Sequence, residues 1–323
     1  MMGRIKIVVL VVSLFLGTWV VPHNAQLSYN YYKASCPNAE GIVRRELLRI
    51  SLLDSTAPAA FLRLLFHDCQ VQGCDASILL DVHGPGTDSE MKSYRNFAIR
   101  KREAVEQIKS ALEAECPGKV SCADIIAMAA RESVSLSGGP RIGIPLGRKD
   151  VRTCSHQRAD SYLPSPSISV DGFLQTFVSK GMSLEESVAI LGAHTLGVGH
   201  CLNIVDRLYN PAPTDRMNIA FRARLRLKCP TRIPLDNITF VSNDLTPGIF
   251  DNQYFVRLLA GKGLFHIDAN IAADSRTLPI IRNFAADQNY FFRVFSTAFV
   301  KLSLTNVLSP PRGEVRRQCS HVN

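Results

Sequence analysis

The sequence predicts a mostly α-helical fold, and three observations carry that reading. Apolar residues recur at three- and four-residue steps in several stretches, alternating period-two runs are scarce, and a capping signal opens one helical stretch. The chain has 323 residues, 46% of them hydrophobic and 20% charged, with a mean hydropathy of +0.05, so it can bury a large core. Its 20 Gly and 17 Pro are ordinary for this length and no self-similar period is present. Collagen-like, coiled-coil and solenoid architectures are thereby excluded.

Taken in order, residues 38–53 place Ile42, Val43, Leu47 and Ile50 on one helical face, with Asn38 available as an N-cap. Ala59 to Leu62 begins a second helical run that carries Arg63 and His67. The same spacing recurs at Val105, Ile108 and Leu112, and at Ile125, Ile126, Ala129 and Ala130. Ser183-Leu-Glu-Glu186 is a capping box, opening a helix through Leu184, Val188 and Leu191 to His194. A last helix carries Phe292, Phe295, Phe299 and Leu302. Ile142 to Leu146 alternates, but it is short and bracketed by Gly and Pro. The Pro- and Ser-bearing stretches 152–169 and 205–216 read as ordered loops; with no composition shift beside them, no domain boundary is drawn.

The first 25 residues read as a secretory signal peptide: basic Arg4 and Lys6, an apolar run from Ile7 to Val21, then Pro22-His-Asn-Ala25. A membrane span needs about 20 apolar residues, more than this run supplies. Residues 26–323 are then the mature domain. Nine cysteines all follow the signal and none forms a Cys-x-x-Cys pair, so disulfides are the default and an odd thiol is left over. Asn237-Ile-Thr239 is a glycosylation sequon. The net charge is +9, or +7 without the signal, which suits an acidic polysaccharide or another anionic surface. No basic helix interleaved with aromatics points to nucleic acid. There is also no Gly-x-Ser-x-Gly elbow, phosphate loop or dinucleotide fingerprint.

Chemistry concentrates in Arg63-Leu-Leu-Phe-His67-Asp68-Cys69-Gln-Val71-Gln-Gly73-Cys74-Asp75-Ala-Ser77. Arg63 and His67, four apart, share a helix face, pairing a fixed cation with a titratable imidazole. That pairing can move a proton and stabilise charge developing on an oxygen; its plainer reading is an ordinary pair on a solvated helix. Oxygen-bearing side chains then fall at 68, 75 and 77 around Gly73. Such a loop, stapled by Cys69 and Cys74, suits either a hard cation such as Ca²⁺ or no ion at all. A second histidine, His194, lies among Gly192, Ala193, Gly197 and Gly199, whose small size would let a flat partner approach the backbone. Zinc held by His194 and His200 lacks an evident third ligand.

With both histidine stretches in hand, the chain resembles the secreted class III plant haem peroxidases from Gln26 to Cys319. The shared motifs are Tyr31-Tyr-Lys-Ala-Ser-Cys-Pro37, Arg-Leu-Leu-Phe-His-Asp-Cys69, Gly-Cys-Asp-Ala-Ser77, Val120-Ser-Cys-Ala-Asp124, Gly-Gly-Pro140 through Pro-Leu-Gly-Arg-Lys-Asp150, Gly-Ala-His-Thr195 and Phe250-Asp-Asn252. The resemblance implies a helical fold with four disulfides and one haem b between distal and proximal halves. Hydrogen peroxide would be reduced while phenolic donors are oxidised one electron at a time. It implies Arg63 and His67 as the distal catalytic pair, His194 as the proximal iron ligand and Asp268 as the acid behind it. Pro164 would mark the edge where phenols bind.

The same resemblance implies two calcium ions. Asp68, Val71, Gly73, Asp75 and Ser77 would hold the distal ion, with Glu90 reaching it through water. Thr195, Thr246, Ile249 and Asp251 match the proximal one. The implied disulfides are Cys36–Cys116, Cys69–Cys74, Cys122–Cys319 and Cys201–Cys229, leaving Cys154 over in a polar loop, where its thiol is expected to be accessible. The implied setting is a monomer in the cell wall or extracellular space.

Three departures from the family pattern stand out. Gln70 replaces a usual Phe, and the stretch from Glu90 to Arg102 lacks the usual motif, so that Asn96 can orient His67 only across a gap. The proximal carboxylate position falls on Asn243, with Asp244 one residue late; a neutral ligand there weakens the site. These departures and the +7 charge motivate a second reading, a basic wall-binding glycoprotein with impaired haem chemistry. Polysaccharide binding that survives haem removal, without peroxide turnover, would mark it.

Overall fold

Ile42, Val43, Leu47 and Ile50 line the buried face of the first helix, α1 (Ala39–Leu53), as their spacing requires. The computed structural model describes residues 27–81, 88–165, 167–230 and 239–323. The signal segment and Asn237 lie outside the described residues. Asn38 occupies the N-cap position of α1, yet its side chain makes no capping bond there.

Pro58 in the first turn, where no donor is missed, starts α2 (Ala57–Gln70). Next come α3 (Arg102–Glu115), α4 (Cys122–Leu136), α5 (His156–Tyr162), α6 (Val170–Val178) and α7 (Leu184–Ile190). After them follow α8 (Val205–Tyr209), α9 (Ile219–Lys228), α10 (Gln253–Leu259), α11 (His266–Ala273), α12 (Leu278–Ala286) and α13 (Gln288–Ser303). Among the described residues the only sheet is a two-stranded antiparallel one. It joins β1 (Val198–His200) to β2 (Phe240–Ser242), with Gly199 opposite Val241. The fold is therefore mostly α, as expected.

Two expectations need adjusting. The capping box at Ser183 is formed, with its hydroxyl receiving Glu186 N–H and the Glu186 carboxylate receiving Ser183 N–H. The α-helix it opens nevertheless stops at Ile190, and His194 rides on the 3₁₀ turn Leu191–Thr195. A Cβ at Gly192 would meet the Phe291 ring at 2.4 Å, so this tighter turn brings backbone directly onto the aromatic core. The two long loops also carry short helices, α5 in 152–169 and α8 in 205–216.

The main core joins α1, α2 and α4 with the aromatic face of α13, where Phe291, Phe295 and Phe299 are buried. A smaller core lies around β2, α8 and α9. All four expected disulfides are present and Cys154 is the free cysteine. Between the helices runs a polar frame that explains two of the sequence motifs. The Asp124 carboxylate accepts from Arg148 at 2.8 Å and from the Tyr32 hydroxyl at 2.6 Å, with both Asp124 and Arg148 fully buried. Asp150 receives Cys122 N–H and Ala123 N–H at the start of α4, together with Arg316 N–H. Removing one partner of a buried pair leaves an uncompensated charge and costs about 3–5 kcal/mol, so these residues hold α4 against the C-terminal segment.

Candidate active site

Helix α2 sets Arg63 and His67 one turn apart, and Arg63 Nε donates to His67 Nε2 at 3.2 Å. A second nitrogen of Arg63 donates to the Phe97 carbonyl at 2.7 Å, which fixes the guanidinium. Asn96 Oδ1 lies 2.7 Å from His67 Nδ1, and Asn96 Nδ2 donates to the Glu90 carbonyl at 2.8 Å. That second bond orients the amide, so its oxygen faces the imidazole. An amide oxygen can only accept; Nδ1 therefore carries the proton and Nε2 keeps its lone pair. Burial, with the Arg63 charge second, lowers the His67 pKa to about 3 against the opposing Asn96 bond. Burial and the Arg100 charge likewise lower Arg63 to about 10, so it remains a cation at neutral pH.

Both residues line a cavity of about 890 Å³ that also contains His194. The Nδ1 of His194 is 3.1 Å from Asp268 Oδ1. Asp268 is itself held by the Tyr254 hydroxyl and by Phe265 N–H, each at 2.8 Å. Although burial alone would raise it, the His194 charge and these bonds hold the Asp268 carboxyl below the ordinary range. With Nδ1 engaged, Nε2 is the His194 atom left for a metal.

With this geometry in view, similarity to known proteins is decisive. Residues 43–287 match the peroxidase family. The chain belongs to the peroxidase family. It is 49% identical to Peroxidase 29 of Arabidopsis thaliana over 319 residues, which cover 97% of this chain and 94% of that protein. Peroxidase 21 of the same plant is 42% identical over 93% of this chain and 92% of its own length, and Peroxidase 28 is 41% identical over 93% and 94%. Plant members of the family generally bind haem and calcium.

The peroxidase cavity fits a haem. Its walls include Phe66, Phe177, Leu196 and Phe299, and the imidazoles of His67 and His194 are each backed by a different support. Pro164 also lines it. Gly197 and Gly199 border the cavity, but Cβ atoms there would meet Ala59 at 2.7 Å and Leu264 at 2.4 Å. Their small size thus also serves protein packing, and at Gly192 the crowding atoms belong to the aromatic core.

The loop after His67 fits a calcium ion. Asp68 Oδ1, Ser77 Oγ and Glu90 Oε2 are buried without hydrogen-bond partners, while Asp68 Oδ2 accepts Ala76 N–H and Asp75 Oδ1 accepts Ser77 N–H. Burial and then the Asp75 charge push Asp68 well above the usual carboxylate range; burial lifts Asp75 to about 6 and Glu90 to about 8. A cation there would reverse those shifts. No three His, Cys, Asp or Glu side chains among the described residues form a metal centre by themselves. Carbonyls of residues such as Val71 and Gly73 would have to complete a calcium shell.

At the proximal set, Asn243 and Asp244 take different partners. Thr195 Oγ1 lies 2.7 Å from Asp244 Oδ2 and 3.0 Å from Asp251 Oδ1, and Asp244 Oδ1 accepts Thr246 N–H. Asn243 instead donates to the Leu196 carbonyl and leaves its Oδ1 without a partner. Asp244, not Asn243, therefore meets Thr195 and Thr246, and Asp251 also meets Thr195. The sequence already places Asp244 one residue late for the family position, and Asp244 is the residue that reaches Thr195 and Thr246. Cys154 is also less accessible than expected. It is half-buried, its thiol donates to the Asp88 carbonyl, and burial with the Glu90 and Asp88 charges raises its pKa to about 11. Gln70 is buried and donates to the Tyr162 carbonyl, tying α2 to α5.

Proposed function

We propose that this peroxidase holds haem b through His194 and reduces hydrogen peroxide with His67 and Arg63. The observation that carries the reading is the pair of oppositely supported imidazoles in one cavity, with an amide oxygen behind His67 and a carboxylate behind His194. When bound, haem supplies the two electrons that cleave peroxide and recovers one from each of two phenolic donors. One peroxide and two donors thus give two waters and two donor radicals.

His67 Nε2 takes the proton from one peroxide oxygen and delivers it to the other, which leaves as water. Arg63, fixed by the Phe97 carbonyl, stabilises the negative charge that grows as the O–O bond lengthens. Asn96 holds the competent tautomer of His67. Asp268 accepts the His194 Nδ1 proton bond, which orients the ring and makes its Nε2 a stronger donor. Pro164 marks the edge where the donors dock. Calcium at Asp68, Val71, Gly73, Asp75 and Ser77, with Glu90 near, would brace the His67 loop. A second ion at Thr195, Asp244, Thr246, Ile249 and Asp251 would brace His194.

Eight of the nine cysteines form four pairs in the fold, and these pairs with the leader-like first 25 residues support secretion of 26–323; the chain acts as a monomer. The charge of +7 favours retention by acidic wall polysaccharide, and Asn237 is the glycosylation site. The reading with impaired haem chemistry loses its distal motive, since Asn96 stands at hydrogen-bond distance from His67. A pyridine haemochrome spectrum with a phenol oxidation assay on the purified mature chain tests the proposal. One haem b per chain and peroxide-dependent phenol oxidation are expected; a chain without haem or turnover overturns it.

A further inference from the structure

Among the described residues, four cationic side chains line the active-site cavity, Arg63, Lys92, Arg95 and Arg100, and no Asp or Glu does. Three of the four are already committed. Arg63 is bound to His67 and the Phe97 carbonyl, Lys92 pairs with Asp88 at 3.5 Å, and Arg100 pairs with Asp54 at 2.9 Å. Arg95 differs. Its Nε is buried without a hydrogen-bond partner, no carboxylate pairs with it among the described residues, and its guanidinium lies over the Tyr94 ring at 4.9 Å. The turn Tyr94–Asn96 that carries it packs against α5, the helix whose end leads through Leu163 to Pro164. An unpaired guanidinium, an exposed aromatic ring and the donor-side proline therefore share one side of the cavity.

We infer that Arg95 is a specificity residue that binds the carboxylate of anionic phenols, selecting carboxylate-bearing donors over neutral ones. The inference rests on the peroxidase reading above. A guanidinium meets a carboxylate through paired N–H bonds, and the stacked Tyr94 ring holds the planar group in place for them. Because Arg95 is partly exposed, the contact weakens with salt.

The test uses the haem-loaded mature protein and two donors with the same phenol ring, 4-hydroxycinnamate and 4-hydroxycinnamyl alcohol. Binding is read as Kd from the haem difference spectrum, and oxidation as kcat and KM. The carboxylate donor is expected to bind about tenfold more tightly than the alcohol at low salt, as one charge-assisted contact allows. Arg95→Gln should abolish that preference by raising Kd and KM for the carboxylate donor alone, and Arg95→Lys should keep part of it. Haem content and the rate of the peroxide step should stay unchanged. An unchanged preference in Arg95→Gln overturns the assignment. Equal weakening of both donors, or loss of haem, also overturns it, placing Arg95 with the fold or with haem carboxylates. If neither donor is oxidised by the unaltered protein, the peroxidase reading fails, while the Kd ratio still decides the role of Arg95.

Discussion

Asn96 Oδ1 stands 2.7 Å from His67 Nδ1 and links the 3₁₀ turn Glu90–Lys92 to the imidazole on α2. The bond fixes which ring nitrogen faces the cavity as a base. Asn96→Val should therefore slow the peroxide step about 10–100-fold while haem content stays the same, as loss of an orienting partner does. Stopped-flow kinetics at pH 7 check this, with the absorption spectrum as the control for haem.

The pH dependence follows from the same pair. His67 is neutral in the fold down to a pKa of about 3, whereas an exposed histidine protonates near 6.5. Its base therefore survives into acid, and the acid limb of the peroxide step should fall well below pH 6.5. The unfolded chain binds that proton first, so the His67 contribution to stability is present above about pH 6.5 and is lost as pH falls toward 3. Asn96→Asp should move the acid limb upward, because a carboxylate favours the imidazolium. A pH profile of the peroxide step in both proteins measures the shift.

Much of this was legible in the sequence where the signal is local. Arg63 and His67 are one helical turn apart, so spacing alone put them on one face, and Ser183 with Glu186 forms the expected box. Asn96 and Asp244 were legible only as departures from the family pattern, because register cannot be counted through a gap. Arg95 carried no pattern at all, since its significance lies in which neighbours lack a negative charge. The buried pair Arg148 and Asp124 likewise joins segments 24 residues apart, a distance that periodicity does not reach.

On the proximal side, Asp268→Asn should weaken the donor strength of His194 and raise the iron reduction potential, with activity lower by about 10–100-fold. Redox titration of the haem-loaded protein against the unaltered one reads the direction.

Calcium should follow the proximal set that contains Asp244. Asp244→Asn is expected to lower calcium from two ions per chain to one, whereas Asn243→Ala should leave two, because only Asp244 faces Thr195 and Thr246. Metal analysis after exhaustive dialysis distinguishes them.

Cys154 should be the one cysteine outside any bridge, and slow to react. With its thiol held to a pKa of about 11 and donating to Asp88, alkylation at pH 8 should lag behind that of a free cysteine by at least tenfold. Non-reducing peptide mapping with timed thiol labelling gives both answers, and a bridge from Cys154 to another cysteine of the same chain contradicts the pairing.

The most direct test of the account is the rate at which the haem-loaded protein reacts with hydrogen peroxide, measured by stopped flow for the unaltered chain and for His67→Leu. The account predicts a loss of about 10² or more, since proton transfer to the leaving oxygen then has no carrier. An unchanged rate in a variant that retains its haem would remove His67 from the mechanism.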